Sequence, residues 1–163
     1  MKIEVVKDYK MLSQVAAKFI QSAVINKKNS VLGLPTGSTP EGMYAELVKM
    51  YRDQTIDFSE VTTFNLDEYV GLSPDHPQSY NYYMCKHLFD HVNMKAENIN
   101  IPAAYRTDIS RICREYEKKI TSIGGIDLQV LGIGGNGHIG FNEPAEDLPL
   151  ETNLVDLSHE TID

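Results

Sequence analysis

The 163-residue chain has only two cysteines, Cys85 and Cys113, and they stand far apart. That spacing matches neither a CxxC metal site nor a dense disulfide framework, and it points to a reducing, cytoplasmic setting. The sequence also has no cluster of Lys or Arg, with 15 basic residues against 23 acidic ones and a formal charge of -8. Nucleic acid and anionic membrane surfaces therefore find no electrostatic footprint, and any anionic ligand has to be held locally. No apolar run approaches the length that spans a bilayer, and the start, MKIEVVKDYK, lacks the apolar core of a signal peptide. A soluble, unsecreted protein is expected. Internal repeats, low-complexity linkers, the Walker A pattern and the HExxH pattern are all missing, so neither a nucleoside triphosphate nor a zincin-type metal is implied.

What is present is an ordinary globular composition, with 42% hydrophobic and 23% charged residues. One domain with one sizeable core is the default. Short β-branched runs alternate with amphipathic stretches. The pattern predicts strands at 2–6, 30–34, 61–66 and 127–133, and helices at 8–25, 40–52, 79–91 and 108–122. Pro40 is tolerated at a helix start because the first-turn amide has no helical partner. An α/β fold follows: an open, Rossmann-like, three-layer αβα sandwich around a mostly parallel sheet. After 133, Asn142, Pro144 and Pro149 argue for a long loop. The final TNLVDLSHETID is expected to hold a strand and the start of a further element. A single α/β domain over 1–163, incomplete at its C-terminus, is the reading.

Ligands of open α/β sheets collect at the carboxyl ends of the strands. Three loops there are rich in functional groups. The first, Leu34 to Pro40, carries Thr36, Gly37, Ser38 and Thr39 into a helix N-terminus, where free amides and hydroxyls suit a phosphate; ordinary helix capping is the plainer alternative. The second places Asp67 and Glu68 at the end of an apolar strand, where a partly desolvated carboxylate becomes a usable base for a C–H proton. Solvated surface acids would give the same letters. His76, Ser79 and Tyr80 follow in a segment that could close as a lid. The third is GIGGNGHIGFNEP at 132–144, whose glycines bring backbone close to a ligand while His138 and Glu143 form an acid–base couple.

Weaker patterns also occur. Gly132, Gly134 and Gly137 spell GxGxxG, with Asp156 near the spacing of a ribose-binding acid. A dinucleotide site needs a helix opening at the third glycine, which HIGFNEP does not suit. His87 and His91, at i and i+4 with Cys85 and Asp90 nearby, could form a metal face, but a solvated helix face is commoner. Tyr80, Tyr82 and Tyr83 read as packing residues, since no basic groove accompanies them.

Through LGLPTGSTP at 32–40, TFNLDEY at 63–69 and GIGGNGHIGFNEP at 132–144, the chain resembles the glucosamine-6-phosphate deaminase family from Met1 to Asp163. The related 6-phosphogluconolactonases typically have DER for DEY and SLFP for FNEP. The resemblance implies a hydrolase of amino-sugar catabolism that converts glucosamine 6-phosphate and water to fructose 6-phosphate and ammonia, by ring opening, aldose–ketose isomerisation and deamination. It implies no metal or organic cofactor. By motif position Asp67 resembles the base that moves the C2 proton to C1, and His138 the group that shuttles the proton in ring opening. Glu143 and Asn136 resemble its partners; some members carry aspartate at the position of Asn136, and an amide fixes geometry without supplying charge. Members activated by N-acetylglucosamine 6-phosphate carry a hydroxyl and basic residues after NEP. Here the stretch offers Glu146, Asn153, Val155 and Asp156, so that activation is not expected. Members also continue past residue 163, where part of their basic phosphate ligands lies. A monomer or small homo-oligomer is expected.

Two other functions fit the same fold: a lactonase-type hydrolase, and a non-catalytic sugar-phosphate-sensing domain. The lack of a helix-turn-helix segment and the joint presence of Asp67, His138 and Glu143 weigh against the sensor.

Overall fold

The computed structural model describes residues 1–145, 147 and 149–157. Four strands, β1 (Val31–Leu34), β2 (Thr62–Asn65), β3 (Ile99–Asn100) and β4 (Leu128–Gln129), form one sheet in the order β3-β2-β1-β4. All three pairings are parallel, with Leu34 opposite Asn65 and Gly33 opposite both Phe64 and Gln129. The chain therefore runs outward from β1 through β2 to β3, then returns to the other side of β1. That reversal opens a crevice between the loops leaving β1 and β4.

Helices α1 (Tyr9–Asn26), α2 (Glu41–Arg52) and α3 (Tyr80–His87) cover one face, and α4 (Ile109–Ser122) the other. Strand alternation explains the division. Leu32 and Leu34 point into the cluster built by Ala17, Ile20 and Val24 of α1, Tyr44 and Leu47 of α2, and Met84 of α3. Phe64, one residue out of phase, meets Tyr116 of α4 edge-on, with ring centroids 5.5 Å apart. Each helix starts on a local signal. Asp8, Ser79 and Asp108 accept backbone N–H bonds from Met11, Tyr82 and Arg111 in their first turns. α2 begins at Glu41, one residue later than expected, and its N-cap Pro40 has no side-chain cap. The hydroxyl of Tyr9 accepts the Gly42 N–H instead, at 2.9 Å. Gly42 permits that approach, since a Cβ there would lie 2.3 Å from Ser13 Oγ.

The expected α/β sandwich with a parallel sheet is what forms, but four local expectations fail. Residues 2–6 make no strand; Ile3 and Val5 are exposed, because β-branched composition without a neighbouring strand leaves the ladder unmade. The strand expected over 127–133 is only Leu128–Gln129, as β1 offers no partner past Leu34 and the chain turns off into its glycine-rich loop. The helix expected to 91 ends at His87, and a 3₁₀ turn at Phe89–His91 replaces its last turn. No strand occurs at 152–157, where Thr152 instead donates its N–H and hydroxyl to Glu117 of α4. The remainder of that expected strand, 158–163, lies outside the described residues. The two-residue β3 was not anticipated, being too short for alternation to register. Among the described residues no helix is long and apolar enough to cross a membrane.

Asp127 ties the return strand to the start of the sheet. Its carboxylate accepts Lys27 Nζ at 2.7 and 2.8 Å and the Val31 N–H at 2.8 Å. The Lys27 bond, then the Val31 amide, hold its pKa below the usual carboxylate value. A depressed native pKa stabilises the fold above the unfolded pKa, and the benefit is lost as pH falls through the native value. Asp127→Asn should therefore lower unfolding free energy at pH 7 by about 1 kcal/mol, a small figure because water reaches the pair. Urea titrations should show that difference closing in acid.

Candidate active site

The crevice is an open cleft of about 360 Å³, within the range of small-molecule sites. Thr36 and Thr39 of the β1 loop, Asp67 after β2, Tyr80 at the start of α3, and His138 and Phe141 of the β4 loop all line it. Parallel strands place the three loops on one rim, so motifs separated by a hundred residues converge. Gly37 and Ser38 are exposed but not in the cleft lining, and Asn136 and Glu143 stand behind His138.

Asp67 is partly buried, and no hydrogen bond among the described residues reaches its carboxylate. Phe141 lines the cleft beside it, and a Cβ on Gly140 would sit 3.4 Å from its Oδ2. Burial, reinforced by the neighbouring charge of Glu68, pushes its pKa up to about 7. Glu68 has a different task. Its Oε1 accepts the N–H groups of Tyr69 and Tyr80, and its Oε2 that of Asn81, at 2.9, 2.9 and 3.0 Å. It thus closes the N-terminus of α3, whose first turn contains no acid of its own. That missing acid was the one sequence signal for this role. The adjacent letters D and E read as a pair, yet one is a desolvated carboxylate and the other a helix cap.

The β4 loop positions His138 through Asn136. The Asn136 Oδ1 accepts the His138 backbone N–H at 3.1 Å and lies 2.7 Å from His138 Nδ1, while its Nδ2 donates to Glu143 Oε2 at 2.7 Å. A backbone N–H can only donate and an ionised carboxylate can only accept, so the amide has one possible orientation. Nδ1 must then carry a proton, and in the neutral imidazole the lone pair is on Nε2. The imidazole lies flat against Gly134, where a Cβ would come within 2.5 Å of Cε1, Nε2 and Nδ1. The glycine-rich run thus clears space for the ring. Gly137 has φ +93° but opens no helix; the loop turns back through an antiparallel bridge between Ile139 and Asn142, which rules out the helix a dinucleotide fingerprint needs.

Aromatic packing joins the loops. Tyr69, Tyr80 and Phe141 meet pairwise with centroids 4.9 to 5.8 Å apart, which bridges the segment after β2, the start of α3 and the β4 loop. Of the residues expected in a lid, Tyr80 alone reaches the cleft; Ser79 caps α3 and His76 lies in the preceding turn. His87 packs on Tyr83 at 4.4 Å, and His91 Nε2 donates to the Lys86 carbonyl. Among the described residues no group of three His, Cys, Asp or Glu is arranged to hold a metal ion. A second depression of about 570 Å³ adjoins Asp67 from the other side, lined in part by Asn153, Val155 and Asp156, whereas Glu146 lies outside the described residues.

The family model for glucosamine-6-phosphate isomerases/6-phosphogluconolactonase matches residues 7–144, and the chain belongs to that family. The glucosamine-6-phosphate deaminase of Thermoanaerobacter sp. (strain X514) is 53% identical over 162 residues, covering 99% of this chain and 64% of that protein. The one from Halothermothrix orenii is 56% identical, covering 99% and 67%. A solved structure of a monomeric glucosamine-6-phosphate deaminase superposes with a TM-score of 0.96 at 43% identity, covering 99% of this chain and 67% of that one. The chain thus spans just under two thirds of the Thermoanaerobacter relative's length.

Removing the amide tests the tautomer argument. Asn136→Ala leaves both N–H groups of His138 without this acceptor, so ¹⁵N spectra should move from a single Nδ1–H form to a mixture of tautomers. Retention of one tautomer would show that another group sets the ring.

Proposed function

We propose that this protein is a glucosamine-6-phosphate deaminase, producing fructose 6-phosphate and ammonia. The observation that carries the reading is a donor-free carboxylate with a pKa near 7 sharing one cleft with an imidazole whose Nε2 lone pair is free. Relatives at 53 and 56% identity that are glucosamine-6-phosphate deaminases support the same substrate. In this reading His138 Nε2 takes the C1 hydroxyl proton as the pyranose opens and returns it to the ring oxygen, with Asn136 holding the imidazole Nδ1 and Glu143 holding the Asn136 amide. Asp67 then removes the C2 proton of the open aldehyde while the C2 ammonium passes a proton to O1, giving a neutral enolamine, and Asp67 delivers its proton to C1. Water adds at C2 of the resulting iminium, and ammonia leaves. A base is most effective when its pKa lies near the working pH, so desolvation makes Asp67 competent for a carbon acid without depriving it of its ionised form. The substrate phosphate rests on the Thr36–Thr39 loop. The cytoplasm is the proposed location, and a monomer, as in the structural neighbour, the proposed state.

The decisive assay supplies glucosamine 6-phosphate to the full-length protein and measures ammonia and fructose 6-phosphate. Lactone hydrolysis in place of ammonia release would favour a lactonase, and sugar-phosphate binding without turnover a sensor. Asp67→Asn should lower kcat by about 10²–10⁴-fold, the usual range for a general base. The base must be ionised to act, so kcat/KM should fall on the acid side of an apparent pKa of about 7. An acid limb that persisted in a partly active Asp67 variant would remove this assignment.

The stretch after NEP offers no basic residue among Asn153, Val155 and Asp156 to receive a second phosphate. Substrate saturation should therefore be hyperbolic, and N-acetylglucosamine 6-phosphate should leave it unchanged. Sigmoidal kinetics relieved by that sugar would contradict the prediction.

A further inference from the structure

Three tyrosines, one from each helix on the same face of the sheet, donate to carbonyls of the β1 loop, the Tyr9 hydroxyl lying 3.3 Å from Ser38 O as well as closer to Thr39 O. Tyr44 of α2 donates to Pro35 O, Tyr83 of α3 to Gly37 O at 2.6 Å, and Tyr9 of α1 to Thr39 O at 2.9 Å. Burial pushes the Tyr44 and Tyr83 hydroxyls above their usual pKa, which keeps both protonated and able to donate. In a trans peptide the carbonyl of one residue and the amide of the next point opposite ways. Holding the carbonyls of Pro35 and Gly37 toward the helices therefore turns the amides of Thr36 and Ser38 away from them. No hydrogen bond among the described residues uses the amides of Thr36, Gly37, Ser38 or Thr39. Gly37, at φ +98°, supplies the left-handed step that lets successive amides converge on an anion. The cleft lining contains no Lys or Arg, so these amides, with the hydroxyls of Thr36 and Thr39, are what the described residues of the β1 loop offer a phosphate.

We propose that Tyr83 and Tyr9, with Tyr44 beneath, are positioning residues that set the Pro35–Thr39 backbone with its amides toward the substrate's phosphate. The inference rests on the deaminase reading for the identity of the substrate, though not for the anion. Tyr83 is the informative member. Its ring stays in place without the hydroxyl, packed edge-on to Tyr44 at 6.3 Å and against His87 at 4.4 Å. Tyr9 is half exposed, so its hydroxyl can also be removed with little loss of core.

The test uses Tyr83→Phe and, separately, Tyr9→Phe in the full-length protein. Inorganic phosphate is titrated while the amide resonances of Thr36 and Ser38 are followed, and steady-state kinetics are run on glucosamine 6-phosphate. Loss of the Tyr83 hydroxyl, or of the Tyr9 hydroxyl that also accepts the Gly42 N–H, should weaken phosphate binding and raise KM by about 5–20-fold, with kcat changed by less than about threefold. Phosphate affinity unchanged in both variants overturns the proposal, whatever happens to Tm, as does phosphate that leaves the wild-type Thr36 and Ser38 amides unmoved. Weakened phosphate binding in the variants of a protein that releases no ammonia would uphold the clamp and sink the deaminase reading instead.

Discussion

Parallel pairing of β1 with both β2 and β4 is the constraint from which the site follows. Because Leu34 lies opposite Asn65 and Gly33 opposite Gln129, the three strands end at one rim, and the chain's return past β1 splits the loops above it. Buried amides stiffen this rim. Asn65 Nδ2 donates to the Leu34 carbonyl across the strands, and Asn100 Nδ2 to that of Thr63. Tyr116 adds a hydroxyl within 2.8 and 3.0 Å of the Asn65 and Asn100 carbonyls. Shifting β2 by one residue would exchange its two faces and send Phe64 to the helices that now pack on Leu32 and Leu34. Asp67, two residues past β2, could not then keep its place beside the β4 loop.

A carboxylate lifted to a pKa near 7 carries a thermodynamic consequence. Its native pKa exceeds the unfolded value, so between those two values the unfolded state sheds the proton more readily and the fold loses stability as pH rises. At neutral pH the desolvation that raises the Asp67 pKa therefore opposes folding, and the surroundings must offset it. Glu68 helps by satisfying three amides at once, fixing the turn that aims Asp67 while anchoring α3. The aromatic contacts of Tyr69, Tyr80 and Phe141 hold the adjoining loops together at the same point. Stability supplied by one carboxylate thus supports the destabilised state of its neighbour.

Helices and the two central strands were readable because each has a repeating apolar face that the sheet then buries. On α4 Ile112 and Tyr116 keep helical spacing, whereas on α1 the apolar Leu12 and Phe19 stay exposed and Ala17, Ile20 and Val24 are the buried face; the N-caps of both helices are local. What could not be read depends on partners distant in sequence. Ile3 and Val5 have strand composition but no neighbour, whereas Ile99–Asn100 has a neighbour but too few residues to show a period. The same division runs through the site. Asp67, His138 and the β1 loop announce themselves as polar groups at strand ends. The cap made by Glu68, the seat that Gly134 provides for an imidazole four residues on, and the hydroxyls of Tyr9 and Tyr83 on the β1 loop appear only when separate segments meet.

Asn136 completes the logic of charge in this acidic protein. Asp67, Glu68 and Glu143 already bring carboxylates to the site, and a phosphorylated ligand adds more negative charge to a cleft lined by no cation among the described residues. A carboxylate at 136 would face Glu143 at hydrogen-bond distance and repel it; the amide accepts from His138 on one side and donates to Glu143 on the other. It orders the imidazole by geometry alone and leaves Nε2 as the acceptor. The same economy of charge holds at the β1 loop, where neutral tyrosine hydroxyls turn neutral peptide dipoles outward. Both ends of the proposed ligand then meet oriented dipoles, whose strength depends on the low-dielectric rim that also prepares Asp67.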